Sequence, residues 1–333
     1  MKKELFKVGI IGYGKMGKIR HREIDAYKMS EVVCIYDQFD VETKLQVAKS
    51  AEDLIINFDL DAIFICTANY MNKSLTIAAL KSGKHVFCEK PPSFNADELL
   101  SIREVEFETK RKLMYGLNHR HHDSIKKMKQ LIDSKQFGSV LWMRGRYGKS
   151  VDQTFFDTWR SKRKYAGGGI LLDQGIHMLD LFLYLGGGFD EVKAVVSNRY
   201  WNLDVEDNVF AIYKNSETGL VASLHSTMTQ WRHLFSLEIF LDKGYMVLNG
   251  LKTSSGTYGD EVLTVARNRT SAPAATWEDE EHITFHIDNS WQSEVRHFFN
   301  AIKNDTQITI GNSSEVLSVM ELIDMTYKDG DLE

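Results

Sequence analysis

The feature that most restricts this chain is Gly12-Tyr13-Gly14-Lys15-Met16-Gly17, placed directly after the apolar run 6–11. A strand feeding a glycine-rich turn and then a helix is the arrangement that cradles a dinucleotide pyrophosphate. The first glycine permits the tight turn, the second lets the phosphates approach the backbone, and the third lets helix and strand pack closely. Unpaired N–H groups at the helix start, with the helix dipole, then favour the anion. An acidic residue, Asp37, stands twenty positions beyond Gly17 at the end of the next apolar run. A carboxylate there accepts both ribose hydroxyls and repels a 2′-phosphate, so NAD is expected ahead of NADP.

The rest of the first third fits that reading. Residues 32–36, 62–67, 85–88 and 113–116 are short apolar runs. Helical patterns separate them, among them residues 72–82, closed by Gly83, and a helix capped by Ser93 or Asn95. Short buried strands alternating with helices predict a parallel sheet covered on both faces. After about residue 120 the character changes. A helix at 124–134 precedes strands at 140–147, 192–199, 208–214, 220–228, 235–241, 245–248 and 283–287. Several of these alternate, as in Phe235, Leu237, Ile239 and Leu241. Short turns such as 215–219 favour antiparallel pairing. The expected class is therefore α/β, a Rossmann doubly wound parallel sheet over residues 1–120. An α+β domain with a large open, mostly antiparallel sheet follows over 121–333. A second sheet face carrying Trp142, Phe240 and Met228 would expose apolar surface in a monomer, which predicts homo-oligomerisation through that face.

Composition narrows the function. Of 333 residues, 43% are hydrophobic and 26% charged, enough for two cored domains, and only three are proline. A net charge of -5 gives no electrostatic reason for a nucleic-acid partner or an anionic membrane. The N-terminus lacks the apolar stretch of a secretory signal, and the apolar segment 170–185 is interrupted by Asp173, His177 and Asp180. Cys34, Cys66 and Cys88 are widely spaced and lie in apolar runs, which suits a reducing compartment, the cytoplasm.

Two further segments bear chemistry. Cys88-Glu89-Lys90-Pro91-Pro92 closes a strand of the first domain, and ligands of such sheets bind outside the carboxyl ends of the strands. That puts Lys90 at the cofactor, with consecutive prolines suited to a cis Lys90–Pro91 bond. In the run Gly167-Gly168-Gly169, then 170–180, the glycines allow close approach of backbone or ligand to a helix start. Asp173 and His177, four apart, share a helical face. Oxidising an alcohol requires loss of its hydroxyl proton, and histidine is the side chain best tuned to take it near neutral pH. A carboxylate orients the ring, and a cationic lysine favours the developing alkoxide.

Together, the glycine turn, Glu89-Lys90-Pro91, Trp159-Arg160 and the 167–180 stretch resemble the glucose–fructose oxidoreductase, inositol dehydrogenase and rhizopine-catabolism (Gfo/Idh/MocA) family, along essentially the whole chain. The resemblance implies a Rossmann domain followed by an α/β domain with a large open sheet. It implies hydride transfer between nicotinamide and a secondary hydroxyl or ketone of a sugar, sugar nucleotide or cyclitol. Catalysis would fall to Lys90, Asp173 and His177. Cofactor contacts would come from Gly12, Tyr13, Gly14, Lys15, Met16, Gly17, Asp37, Thr67, Asn69, Glu89 and Lys90. Substrate contacts would add Asn118, Arg120, Trp159 and Arg160 to the catalytic three. Two departures stand out: Ala68 replaces the usual proline of the Thr-Pro-Asn loop, and Asn72 replaces a common histidine.

Other candidates weigh less. His119, His121, His122 and Asp123 match no strong zinc spacing and lack cysteine, so no metal is expected. Arg160, Lys162, Arg163 and Lys164 read equally as a solvated loop or as a site for a phosphate, nucleotide diphosphate or acidic sugar. A non-catalytic dinucleotide-binding regulator needs the glycine cradle but not Lys90, Asp173 and His177 together. An NAD-dependent glycosidase on the same fold is the other alternative.

Overall fold

The computed structural model describes residues 5–253 and 255–331. From the N-terminus run β1 (Phe6–Ile11), α1 (Lys15–Ala26), β2 (Ser30–Tyr36), β3 (Gln46–Val47), α2 (Ala51–Asn57), β4 (Ala62–Ile65), α3 (Asn69–Lys81), β5 (His85–Glu89), α4 (Ala96–Thr109) and β6 (Leu113–Gly116). Among the described residues these strands form one six-stranded sheet in the order β3-β2-β1-β4-β5-β6. Every pairing in it is parallel. Strands buried on both faces must be apolar throughout, and all of β4 and the last four residues of β1 are buried. The helices stop and start where the sequence says: Asn95 Oδ1 accepts from the Glu98 N–H (2.9 Å), and Gly83 takes φ +77° after α3.

Then follow α5 (Asp123–Asp133), β7 (Val140–Ser150), the single turn α6 (Arg163–Ala166), α7 (Ile176–Gly186), β8 (Glu191–Ser197), β9 (Asn208–Lys214), β10 (Val221–Thr227), β11 (Thr229–Leu241), β12 (Gly244–Asn249), β13 (Glu261–Arg267) and β14 (Glu281–Phe285). They build an eight-stranded sheet, β14-β13-β12-β11-β7-β10-β9-β8, antiparallel except where β10 runs parallel to β7. Phe235, Leu237, Ile239 and Leu241 are each at most 2% exposed, as the alternation predicts. Strand β13 lies beyond the sequence reading.

The chain divides into two compact units. One comprises residues up to Asn118 with 164–167 and 290–317; the other comprises 119–163, 168–289 and 318 onward. The reading from sequence assigned everything after residue 120 to one domain. The structure instead returns α8 (Ser290–Asn304) to the first unit. Phe298 and Phe299 of that helix are fully buried in the core built by Val8, Ile10, Phe64 and Phe87. Each such phenylalanine contributes roughly 1.5–3 kcal/mol. A last helix, α9 (Ser313–Asp329), ends the fold.

Two other expectations change. Met228 is 1% exposed, whereas Trp142, stacked on Phe240 at 4.1 Å, is 38% exposed. Counting by twos from the buried Ala222 and Leu224 puts Met228 on the covered face, so it does not share the open one. The helix expected straight after the triple glycine begins with a π-helical turn, Leu171–Gly175, before α7. The buried Glu206 carboxylate accepts there from the N–H of Gly169 (2.7 Å) and of Leu171 (3.0 Å). A Cβ on Gly169 would lie 2.1 Å from the Glu206 carbonyl oxygen. The glycine therefore serves close approach of protein backbone, and a protein carboxylate takes the N–H groups that could otherwise meet a ligand.

Candidate active site

In the first unit the turn after β1 is built for close contacts. Gly12 has φ +88°, and a Cβ there would sit 2.5 Å from the Cys66 carbonyl oxygen. A Cβ on Gly17 would lie 2.1 Å from the Gly12 carbonyl oxygen, so α1 packs against the turn with no room to spare. Gly14, the N-cap of α1, differs: a Cβ would meet nothing within 4 Å. The space beside Gly14 is therefore open at the helix N-terminus, where a pyrophosphate would be held. Asp37 is anchored by the N–H of Tyr13 (2.6 Å) and of Phe39 (3.0 Å) at its two oxygens. A carboxylate offers about four acceptor sites, so two amide donors leave it able to take ribose hydroxyls. Tight turn, open helix start and fixed carboxylate fit NAD. Lys15 is exposed and Met16 half-buried beside them, and the buried Tyr13 bonds through its hydroxyl to His21 Nδ1. Burial, with Asp25 behind it, raises the Tyr13 phenol above its usual range.

The loop after β4 and the turn after β5 carry the other candidates of this unit. Thr67 donates its hydroxyl hydrogen to Asn72 Oδ1 (3.0 Å), and Asn69 donates to the Ala166 carbonyl (2.8 Å). Glu89 does not present its carboxylate to solvent; Oε1 accepts from buried Arg20 Nε at 2.7 Å. Lys90 is half-buried and the Lys90–Pro91 bond is cis. Asn118, expected at the substrate, is buried with its amide donating to Ser290 Oγ (2.9 Å).

The second unit gathers a different set. Asp173 lies in the π-helical turn, and its Oδ2 is 2.5 Å from Lys149 Nζ, with Arg160 Nε 4.0 Å from Oδ1. The Arg160 guanidinium also covers the Trp159 ring at 4.3 Å. His177, 5% exposed at the start of α7, stacks on His119 with ring centroids 3.9 Å apart and 17° between planes. The Tyr147 ring meets His177 nearly edge-on at 6.2 Å and Tyr258 at 5.3 Å. Tyr258 donates to Gln174 Oε1 (3.2 Å), and the His233 ring stands against it at 5.0 Å. Burial, then the Lys149 ammonium, hold His233 below its ordinary value. Burial raises both phenols, and Asp173 adds to the effect.

The structure thus brings Asp173, Arg160 and Trp159 together in the second unit. Arg120 is elsewhere employed: its guanidinium holds Asp180 through Nε (2.9 Å) and NH2 (2.5 Å) and lies over Tyr184. The histidines at 119–122, for which the sequence gives no metal-ligand spacing, have other partners. His119 stacks on His177, and His122 pairs with buried Glu261 at 3.0 Å. Lys149, Tyr147, Gln174 and Tyr258 went unread. Lys149 had a signal, because it follows Met143, Gly145 and Tyr147 on the inward phase of β7, where a lysine is out of place. Tyr258 lies in a loop without periodicity and had none.

A parallel sheet in this strand order, with a glycine turn opening its first helix, defines a Rossmann dinucleotide-binding unit. Residues 6–117 match the family model described as an oxidoreductase family with an NAD-binding Rossmann fold, and residues 125–247 match the GFO/IDH/MocA C-terminal domain. The chain belongs to the GFO/IDH/MocA oxidoreductase family.

Among relatives, a levoglucosan dehydrogenase of Pseudarthrobacter phenanthrenivorans is 29% identical over 208 residues, covering 57% of this chain and 53% of that protein. A myo-inositol 2-dehydrogenase of Thermotoga maritima is 27% identical over 278 residues, covering 77% and 78%. The chain thus spans about half the length of the first relative and over three quarters of the second. A solved levoglucosan dehydrogenase in complex with NADH and levoglucosan superposes with a TM-score of 0.85 over 98% of both chains at 22% identity, which establishes the fold. Among the described residues no helix is long and apolar enough to cross a membrane.

Proposed function

We propose that this protein oxidises a secondary hydroxyl of a sugar, sugar nucleotide or cyclitol, or reduces the corresponding ketone, with NAD as its cofactor. Bound NAD would supply the acceptor for the hydride lost from the alcohol carbon, and NADH the donor in the reverse direction. The backbone around Gly12, Gly14 and Gly17 holds the pyrophosphate, and Asp37 takes the ribose hydroxyls. Lys90 donates to the reacting oxygen and steadies its developing negative charge. His177 exchanges the hydroxyl proton. Asp173, charge-balanced by Lys149 at 2.5 Å, orients the substrate's polar groups.

The observation that carries this reading is the ionisable cluster of Asp173, Lys149, His177, His119 and Tyr258 in the second unit. A regulator that only senses a dinucleotide requires the cradle and none of this cluster. The likeness to sugar and cyclitol dehydrogenases supports the substrate class. The test is absorbance of reduced cofactor during a screen of sugars, cyclitols and sugar nucleotides with NAD and then NADP, with Lys90→Ala in parallel. Turnover with NAD is expected, falling by orders of magnitude in the variant while NAD affinity holds. Tight NAD binding with no turnover of any substrate would make the protein a regulator. Wild-type turnover in Lys90→Ala would remove that lysine from the chemistry.

We also infer a homodimer or homotetramer formed through the open face of the eight-stranded sheet. Val195, Phe210 and Ile212 there are 65%, 51% and 53% exposed. They border a groove of about 910 Å³ whose rim carries both charges, with Arg144 paired to Glu238 at 2.7 Å. A monomeric mass in light scattering at working concentration would end this inference. The free thiols Cys34, Cys66 and Cys88 support a cytoplasmic location.

A further inference from the structure

We propose that Asn72 and the Arg20–Glu89 pair form a clamp whose task is to hold the Lys90 turn, making them positioning residues for that lysine. The proposal rests on the role given to Lys90 above. Asn72 is fully buried in α3, and its Nδ2 donates to the carbonyls of Glu89 (3.3 Å) and Pro91 (2.7 Å). These are the peptide oxygens on either side of Lys90. Its Oδ1 accepts the Thr67 hydroxyl (3.0 Å), which fixes the amide's orientation. Three of the four hydrogen bonds this interior side chain can make are thus directed to that loop and that turn.

The second grip comes from below. Glu89 immediately precedes Lys90, and Arg20, 0% exposed in α1, bonds Glu89 Oε1 and Glu294 Oε2 at 2.7 Å each. Phe87 and Trp291 lie against the guanidinium, with ring centroids 4.3 and 4.6 Å away. Burial works against this charge, but the two carboxylates outweigh it and raise the guanidinium above its ordinary value. Gly116 adds the needed space, since a Cβ there would lie 2.9 Å from Glu89 Oε2 and 3.0 Å from Arg20 NH2. The helix that opens at the glycine turn and the turn that carries Lys90 are therefore tied through one buried charge cluster. Ordinary core packing of α1 does not require two carboxylates, and a buried ion cluster is weak evidence of stabilisation for its own sake.

The test is a double-mutant cycle read by kcat and by NAD affinity. Asn72→Leu keeps the branched shape of the amide, in a larger side chain, and removes both donors. It should lower kcat about 30-fold or more in the native background, with NAD affinity within about twofold. In the Lys90→Ala background the same change should alter the residual kcat by less than about twofold, because the clamp then has nothing to position. Equal losses in both backgrounds would mean a merely structural role, and a neutral Asn72→Leu would also overturn the proposal. If Asn72→Leu fails to fold, Glu89→Gln, which keeps shape and removes charge, runs the same cycle with the same criterion. Wild-type activity of Lys90→Ala by itself would instead refute the reading of Lys90, and the clamp with it.

Discussion

The cradle of the first unit and the ionisable cluster of the second are built in opposite ways. Around Gly12, Gly14 and Gly17 the chain removes side chains so that backbone N–H groups and a helix dipole face outward. Around Asp173 it crowds side chains together: Lys149 at 2.5 Å, Arg160 at 4.0 Å, and phenols raised by burial close by. The first device depends on what is absent at each position: a Cβ on Gly12 or Gly17 would strike backbone, and one on Gly14 would enter the open space at the helix start. The second depends on charge balance among partners that offset one another. Substitutions should therefore cost most in the cradle and less, but with a clearer chemical signature, in the cluster.

The sharpest test of the cradle compares its second and third glycines. Gly17→Ala forces a Cβ to within 2.1 Å of a backbone oxygen, so the turn or α1 must move. Overpacking of this kind costs about 1–3 kcal/mol, and NAD affinity should fall about 100-fold with a lowered Tm. Gly14→Ala meets nothing within 4 Å, so Tm should hold while NAD affinity still falls. Calorimetry and thermal melts on both variants check this. An unchanged NAD affinity in Gly14→Ala would show that the phosphates do not pass that glycine, and the contrast between the units would fail.

The same contrast explains how much could be read from sequence. The bounds of β1, β6 and β9 and the start of α1 coincide with the apolar runs and the glycine turn, because each is set by residues within a few positions of itself. The place of Asp37, just past β2, was legible for the same reason, as a fixed offset along one βαβ unit. What escaped depends on distant partners. The 290–304 helix carries an apolar stripe that fits either unit, and only the rings of Phe64 and Phe87 decide where Phe298 goes. The triple glycine left approach of backbone or of ligand open, because Glu206, 37 positions from Gly169, could not be foreseen beneath it. Arg120 looked available for substrate because its partner Asp180 stands sixty positions away on another helix. Charged residues were read by type, while their roles are set by pairing.

Lys149 offers the finest discrimination in the second unit, since it touches Asp173 and acts on His233 at once. Lys149→Met keeps most of the aliphatic stem and removes the ammonium, and with it both the Asp173 pair and the contact with the Phe155 ring, whose centroid lies 4.8 Å from Nζ. A half-buried, short ion pair of this kind is worth about 1–2 kcal/mol, so turnover should fall about tenfold, with NAD affinity unchanged because the cradle is untouched. Stability should fall by no more than the worth of that pair, since both partners keep some solvent exposure. The sign of the accompanying titration is fixed by the charges. Burial holds the His233 imidazole low and Lys149 pushes it lower, so removing the ammonium must move its midpoint upward toward the ordinary histidine range. Imidazole proton resonances followed against pH would report that shift directly. A tenfold loss of turnover with His233 unmoved would place the effect on Asp173 alone. An unchanged turnover with a shifted His233 would mean that charge balance at Asp173 does not govern catalysis, and the distinction drawn between the two sites would lose its chemical half.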